Sequence, residues 1–359
     1  MSTQRDALEI FFKVFNYYGL SAFKKREKKS FLFFLLFVFA VPGNTIILLL
    51  ATAQATTIDE KVRNFRLVPL YVAALVKGVN LVANLKDILD LIASMKEMMK
   101  EIDDQEIVKR ANVQSMRILI MYLVTGFSPL IATQIFSLIT QEQVIQLPSL
   151  PTGYESFQIC VFAIYWILYN FGANYSTLLS LLLSFILSYF LTCFQAYSEF
   201  LCGEDQPSKK TIQNFYKLKR TAKKYSEIFS TVILYQVCLA MLTLASHAFA
   251  IADLKNIFSV ESIPIFLMTI IIILVSIVPC YIGNEVQLNT GKIIDKFFET
   301  NWYELQPKQR KNMIVMQSIL QERPIQLKVA GIFIINLDSF FILINSTYAI
   351  FAFMKNFKN

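Results

Sequence analysis

The chain has 359 residues, of which 55% are apolar, 14% aromatic and only 17% charged, and its formal net charge is +8. Ordinary soluble domains are about 25% charged, and a water-soluble fold could not bury this much apolar surface. The 34 lysines and arginines are gathered between long uncharged runs, which is typical of the flanks of membrane spans and unlike a nucleic-acid-binding face. Composition therefore predicts an integral membrane protein in contact with lipid and argues against a nucleic-acid partner.

Seven apolar runs are long enough to cross a hydrocarbon core of about 30 Å, which takes about 20 helical residues. They cover residues 31–51, 65–85, 117–139, 157–195, 228–251, 263–283 and 330–354. The fourth run is either one long helix or two spans that turn at Asn170–Asn174. The loop before it, 140–156, has no lysine or arginine, and the loop after it has seven. Flanks of such different charge imply an odd number of crossings, so one long helix is predicted.

The basic residues also indicate how the chain is oriented. The N-terminal segment 1–30 and the second-to-third, fourth-to-fifth and sixth-to-seventh connections, with Arg117 at the edge of the third span, hold 27 of the 34 basic residues, and the opposite side holds about six. Because basic loops are retained in the cytosol, the N-terminus is predicted to be cytosolic and the C-terminus extracellular, the reverse of a G-protein-coupled receptor. Residues 1–359 are predicted to form a single all-α domain of seven transmembrane helices.

Helices are predicted to extend below the membrane into a cytosolic layer. No proline or glycine occurs between Asp87 and Arg117, and apolar residues recur there at helical spacing. The same interpretation suits residues 287–322, where Pro307 can occupy the first turn of a helix. The layer either packs within one subunit or joins several subunits, and the sequence leaves both alternatives open.

No pattern in the sequence indicates an enzyme, a metal centre or a cofactor site. Phosphate-binding loops, metal-ligand spacings and nucleophile elbows are absent from it. The single histidine, His247, is predicted to be hydrogen-bonded within the fifth span. Lys77, in the second span, would cost about 2.5–3.5 kcal/mol at mid-bilayer, so its side chain either extends to the cytosolic edge, which is the favoured prediction, or faces a wet or paired interior of the bundle.

Aromatic residues suggest a binding pocket in the outer half of the bundle. Tyr165, Trp166 and Tyr169 lie in the outer half of the fourth span, and Tyr71 and Phe136 would lie at similar depth in the second and third spans. An interfacial aromatic belt is one interpretation, and a cavity for a small ligand is the other. We predict that these five residues bind a small, lipophilic ligand, because the spans contain no cluster of charge to hold an ionic one.

The last third of the chain carries a series of short motifs that resembles the C-terminal signature of insect odorant receptors. The motifs are Gly283-Asn284-Glu285, Asn301-Trp302-Tyr303-Glu304-Leu305, Ala330-Gly331-Ile332-Phe333, Asn336-Leu337-Asp338-Ser339-Phe340, Ser346-Thr347-Tyr348 and Phe351. Their order and spacing match those of the family. Predicted span number, orientation, the long fourth helix and chain length agree with the resemblance.

The resemblance implies a subunit of an odorant-gated, non-selective cation channel that assembles with the family's co-receptor as a heteromeric tetramer. It further implies a small volatile ligand and residence in the plasma membrane of olfactory sensory neuron dendrites. The short fourth-to-fifth loop resembles that of ligand-tuning subunits rather than the co-receptor. The seventh helix, 330–354, would line the pore, with a constriction at Phe353 and Phe357 and with Asn356 beside them. A gustatory-type homomeric channel and a small-molecule transporter are the alternatives.

Overall fold

The fold was analysed in a computed structural model, which describes residues 28–65, 67–140, 158–203, 208–252, 262–299, 306–321, 325–329 and 333–356, together with positions 10, 13 and 303. Over these residues the chain is helical apart from one short hairpin. The elements in chain order are α1 (Lys28–Gln54), α2 (Ile58–Phe65), α3 (Val68–Ala83), α4 (Leu85–Lys100), α5 (Gln105–Thr140), α6 (Gln158–Cys202), α7 (Lys209–Ala252), α8 (Ser262–Glu299), α9 (Pro307–Gln321), β1 (Lys328–Val329), β2 (Phe333–Ile334) and α10 (Leu337–Asn356).

Helix α6 is the central element of the bundle. It runs without interruption from Gln158 to Cys202, so the prediction of one long helix is confirmed. From residue 181 to residue 194 every position is buried, because this stretch is apolar apart from Ser184, Ser188 and Thr192, and a helix that is apolar on nearly all sides needs neighbours on all of them. Helices α1, α3, α5 and α8 supply them.

The helical extension after the second span is confirmed, but it is not straight. Helices α3 and α4 meet at an angle of 74°, at Asn84, whose backbone (φ −105°, ψ 18°) leaves the helical region. Helix α4 ends at Lys100, and α5 begins at Gln105 after Asp104, whose Oδ1 accepts a hydrogen bond from the backbone N–H of Glu106 (2.8 Å). The absence of proline and glycine therefore did not prevent a bend and a break.

The layer formed by α4 and the first half of α7 is packed within the subunit. The buried face of α4 consists of Ile88, Leu91, Ile92, Met95 and Met98. At its end Lys217 of α7 pairs with Glu97 (3.0 Å) and with Glu101 (2.7 Å). Glu101 also accepts a hydrogen bond from the hydroxyl of Tyr197 on α6 (2.9 Å). One of the two alternatives for this layer, packing inside one subunit, is thus realised.

The C-terminal helix begins later than predicted. Residues 333–334 pair with residues 328–329 in an antiparallel hairpin, and the prediction of a helix from residue 330 is wrong at its start. Helix α10 begins at Leu337 because Asn336 caps it: the backbone N–H of Ser339 donates to Asn336 Oδ1 (3.0 Å). Helix α9 begins at Pro307, as predicted.

Four helices in the described part of the chain are long and apolar enough to cross a membrane. They are Ser176–Cys202, Lys209–Ala252, Ile265–Lys296 and Leu337–Asn356. The bent pair of α3 and α4 would make a fifth if it counts as one span, and Phe39–Gln54 of α1 is a shorter apolar helix. These helices are those of a membrane protein, whereas the total of seven spans and their orientation stay predictions.

Candidate functional site

A cavity of about 140 Å³ lies between α3, α6, α7 and α8. It is lined by residues within 67–77, 173–181, 236–243 and 268–276, one segment on or beside each helix. A dry protein cavity of about 150 Å³ can hold a benzene molecule. The space enclosed here therefore suits a ligand the size of a small aromatic ring or a short hydrocarbon chain.

The contacts between the helices establish which ends of these segments lie together. Lys77 of α3 donates to Ser180 of α6 (2.9 Å), and a Cβ added to Gly172 would lie 3.3 Å from the ring of Tyr71. Helices α3 and α6 are therefore parallel. Asn80 of α3 donates from Nδ2 to the carbonyl oxygen of Ile228 (3.1 Å), and Leu70, nearly three turns earlier, packs against the cluster that contains the α7 residues Ala240 and Leu244. Helix α7 is thus antiparallel to α3.

One end of the cavity is polar. It contains Lys77, Ser180, Gln236 and Ser276, which lie at or next to the last lining position of their helices in the direction of α3, and we name it the polar end. Gln236 Nε2 donates to the carbonyl oxygen of Val275 (2.6 Å), which fixes α7 against α8. The prediction that Lys77 extends to the cytosolic edge is wrong: the residue is only 4% exposed and its Nζ points to Ser180.

The rest of the cavity is mainly apolar. At the opposite end, which we name the apolar end, the lining residues are Leu67, Leu70, Ala173 and Met268. Leu239, Ala240 and Ile272 continue this surface along α7 and α8. Thr243 of α7 also lies at this end, and its hydroxyl donates to the carbonyl oxygen of Leu239 (2.7 Å); Ser176 and Thr177 line the α6 wall between the two ends. Apolar walls with a few polar groups at one place are typical of small-molecule sites.

Tyr71 is the predicted ligand residue whose position the structure describes. It is 4% exposed and lies on the cavity wall. The glycine at position 172 lets α6 approach α3 at this level, because a Cβ there would overlap the side-chain amide of Asn44 and touch the Tyr71 ring. The side chains of the other four predicted residues, Phe136, Tyr165, Trp166 and Tyr169, lie outside the described part of the chain.

The predicted pore residues lie at the end of α10, away from the cavity in the sequence. Phe353 is 63% exposed in the single chain and Asn356 is exposed as well. Phe357 lies outside the described residues. A more direct connection between the cavity and α10 is Leu343, the one residue of this helix that is buried, which forms a cluster with Ala240, Leu244 and Ile272. Two members of this cluster, Ala240 and Ile272, also line the cavity.

The cavity walls on α7 and α8 were not among the residues predicted from the sequence. Gln236 and Lys77 carried the signal that could have located them, because strongly polar residues in apolar spans face the interior of a bundle. His247 lies one turn beyond the cavity lining and is 2% exposed, with Nδ1 2.8 Å from the carbonyl oxygen of Thr243. Its predicted hydrogen bond within the bundle is confirmed. Among the described residues no group of three or more potential metal ligands comes together.

A bundle of long apolar helices around a small, largely apolar cavity defines a polytopic membrane protein that can bind a small molecule. The model of the 7tm odorant receptor family matches residues 57–348, and the chain belongs to this family. The family is one of receptors rather than enzymes. The resemblance found in the C-terminal motifs is thereby confirmed.

Individual similar proteins support the assignment of the chain to this family. A segment of 89 residues is 29% identical to odorant receptor 94a of Drosophila melanogaster; it covers 25% of this chain and spans only 23% of that relative. The solved insect olfactory receptor OR5 from Machilis hrabei is similar in fold, with a TM-score of 0.76 and 13% identity over 91% of this chain and 89% of that one. The same receptor in complex with eugenol gives a TM-score of 0.73 and 14% identity over 92% and 90%.

Proposed function

We propose that this chain is the odorant-binding subunit of a heteromeric, odorant-gated, non-selective cation channel, with a small volatile molecule bound between α3, α6, α7 and α8. The observation that carries the proposal is the cavity of about 140 Å³, enclosed by four helices of a chain of the odorant receptor family. That OR5 from Machilis hrabei was solved with eugenol, a small aromatic compound, supports a ligand of this size.

In this proposal the membrane orientation follows the charge of the connections. Seven helices cross the bilayer as one domain, residues 1–30 lie in the cytosol with most of the basic residues, and the C-terminus is extracellular. The polar end of the cavity then lies near the middle of the membrane and the apolar end faces outward. The receptor resides in the plasma membrane of olfactory neuron dendrites, where the outer face meets the odorant.

Ligand binding would act on α10 through the two walls that α7 and α8 provide. Ala240 and Ile272 border the cavity and belong to the cluster that contains Leu343. A ligand changes a conformational equilibrium only by binding one state more tightly than the other. A ligand that favours a slightly wider arrangement of α7 and α8 would therefore favour a displaced α10.

Helix α10 is the proposed pore helix, and its surface supports assembly with other subunits. Phe341, Ile342, Tyr348 and Phe353 are each more than 60% exposed in the isolated chain. A helix with so much exposed apolar surface requires lipid or partner subunits around it. The co-receptor is the proposed partner, and Phe353, Asn356 and Phe357 are the proposed constriction.

Odorant-evoked current tests this function directly. The chain is expressed in oocytes with the co-receptor, without it, and the co-receptor alone, with surface expression measured in each case. The proposal expects cation current in response to members of a broad odorant panel only when both chains are present. A response from this chain alone would instead indicate a homomeric channel of the gustatory type. No response despite surface expression of both chains would refute the proposal.

The orientation has its own test. An epitope placed before Met1 and another placed after Asn359 are stained in intact and in permeabilised cells. The proposed orientation expects the C-terminal epitope to be accessible in intact cells and the N-terminal one only after permeabilisation. The opposite pattern would exclude this channel topology.

A further inference from the structure

The cavity contains a cationic group for which the described structure provides no counter-charge. Lys77 is 4% exposed, and its Nζ is hydrogen-bonded to the hydroxyl of Ser180 (2.9 Å). No aspartate or glutamate is among the described residues that line the cavity. An isolated charge inside a membrane bundle is expensive, and such groups are normally paired. Lys77 therefore favours the binding of an anionic group that compensates its positive charge.

The hydrogen bonds around Lys77 leave it with unused donors. An ammonium group has three N–H donors and no acceptor, and Ser180 accepts one of them. The hydroxyls of Ser180, Ser176 and Ser276 donate to carbonyl oxygens of their own helices, at Ser176 (3.0 Å), Gly172 (2.7 Å) and Ile272 (2.6 Å). These hydroxyls present only lone pairs to the cavity. Gln236 has a second amide N–H beside the one that donates to Val275, and Lys77 is the charged donor among the described residues of the polar end.

We propose that the preferred ligand of this cavity is a small lipophilic carboxylic acid, bound as its carboxylate to the Lys77 ammonium with its hydrocarbon part directed toward the apolar end. The inference rests on the proposed function and specifies its ligand class. It replaces the expectation of a neutral ligand, which was based on the absence of a charge cluster, because a single buried ammonium is sufficient for one carboxylate. Charge-assisted hydrogen bonds are about twice as strong as neutral ones.

The size and shape of the cavity agree with a short acid. Because a cavity of about 150 Å³ holds benzene, about 140 Å³ accommodates a chain of roughly six carbons in part-extended form. The carboxylate would occupy the polar end beside Lys77 and Ser180, and the alkyl chain would contact Leu239, Ala240 and Leu70. An ionised acid bound the other way round would place its charge among aliphatic side chains.

Matched ligands test the inference on the full-length chain. Hexanoate, hexanamide and hexanal have the same carbon chain, and hexanamide has nearly the same shape as hexanoate without its charge. Dissociation constants are obtained at pH 7.4 from ligand-dependent thermal stabilisation of the purified chain in nanodiscs. We expect hexanoate to bind at least about tenfold more tightly than either neutral ligand. The variant Ala240→Phe, in which a ring fills the cavity, should lose binding of hexanoate.

Two lysine variants identify the group responsible. Lys77→Met should remove the preference for hexanoate over hexanamide, whereas Lys86→Met, on an exposed lysine of α4, should keep it. If Lys77→Met fails to fold, the ratio of the dissociation constants of hexanamide and hexanoate for the wild-type chain decides the question alone. Equal or tighter binding of hexanamide or hexanal by the wild type, or an unchanged preference in Lys77→Met, would overturn the inference. The receptor proposal would survive either result, because it is tested separately by odorant-evoked current and by the accessibility of the two termini.

Discussion

The glycine at position 283 of α8 lies directly against the backbone of Ile335. A Cβ added to Gly283 would overlap the carbonyl oxygen of Ile335 and approach its Cβ to 3.2 Å. Ile335 immediately precedes Asn336, the cap of α10, and its N–H donates to the carbonyl oxygen of Leu327 (2.9 Å). The first motif of the C-terminal signature thus contacts the segment from which the last helix begins.

Gly283→Ala should consequently disturb the junction of α8 and α10. The added methyl group meets backbone rather than a flexible side chain, so the hairpin must move, and overpacking of this kind costs about 1–3 kcal/mol. We expect a lower thermal unfolding midpoint and a smaller odorant-evoked current per receptor at the cell surface.

Gly291→Ala is the matched control, since it lies on the same helix and a Cβ there meets nothing within 4 Å. Alanine favours helix more than glycine by up to about 1 kcal/mol, so this variant should be neutral or slightly more stable. Equal behaviour of the two variants would contradict the proposed contact.

The ion pairs of Lys217 should contribute measurably to stability. Lys217 bridges Glu97 and Glu101 at the end of α4 and is 26% exposed. Lys217→Met leaves two carboxylates near each other without their cation, and we expect a loss of about 1 kcal/mol. In Lys223→Met the lost pair, Lys223 with Glu227 at 3.7 Å, is mostly exposed, so stability should hardly change.

Thermal unfolding of the purified chain at low and high salt measures this difference. Salt screens exposed charges more than partly buried ones. The difference in unfolding midpoint between Lys217→Met and Lys223→Met should therefore persist in part at 1 M salt. If Lys217→Met proves as stable as Lys223→Met, the pairs at the end of α4 do not hold α7 in place.

The stability that the start of α2 contributes should decrease at acidic pH. The side chain of Glu60 accepts from the backbone N–H of Thr57 (3.4 Å), and the N–H of Glu60 donates to the Thr57 hydroxyl (3.2 Å), which forms a capping box. The hydrogen bonds from the backbone amides of Thr57 and Thr56 lower the pKa of Glu60 below 4.5. A lowered carboxyl pKa means that the carboxylate stabilises the fold above pH 4.5 and stops doing so as pH falls through the lowered value.

Glu60→Gln isolates this effect, because glutamine keeps the shape and loses the charge. The difference in unfolding midpoint between the wild type and Glu60→Gln should be constant from pH 7 to about pH 4.5 and should shrink below it. A difference that stays constant below pH 4.5 as well would mean that the pKa of Glu60 is not lowered, because a carboxyl with the same pKa in the folded and unfolded states makes no pH-dependent contribution to stability.

The sequence was sufficient to predict the long elements of the fold. The difference in charge between the flanking loops correctly predicted that α6 is one continuous helix. Helix α9 begins at Pro307, as predicted, because a first-turn proline loses no helical hydrogen bond. The bend at Asn84 and the late start of α10 were not foreseen. The start of α10 depends on contacts with a distant segment, because the hydroxyl of Ser226 donates to the carbonyl oxygen of Lys328 in the preceding hairpin (2.8 Å).

The candidate site could be predicted only in part. Depth and aromatic character located Tyr71 correctly on the cavity wall. The side chain of Lys77 was predicted to extend to the cytosolic edge because the sequence contains no information on its partner. Ser180, which accepts its hydrogen bond, lies 103 residues away on a parallel helix. The walls contributed by Ala240 and Ile272 resemble any other apolar positions of a span until the helices are packed.

The account depends most on the claim that the cavity between α3, α6, α7 and α8 receives the odorant that opens the channel. The measurement is the odorant concentration for half-maximal current, for Ala240→Phe and for the exposed control Ala93→Phe, both co-expressed with the co-receptor at equal surface density. Because a phenyl ring takes most of about 140 Å³, Ala240→Phe should raise this concentration at least about tenfold, while Ala93→Phe matches the wild type. An unchanged concentration in Ala240→Phe would contradict the claim.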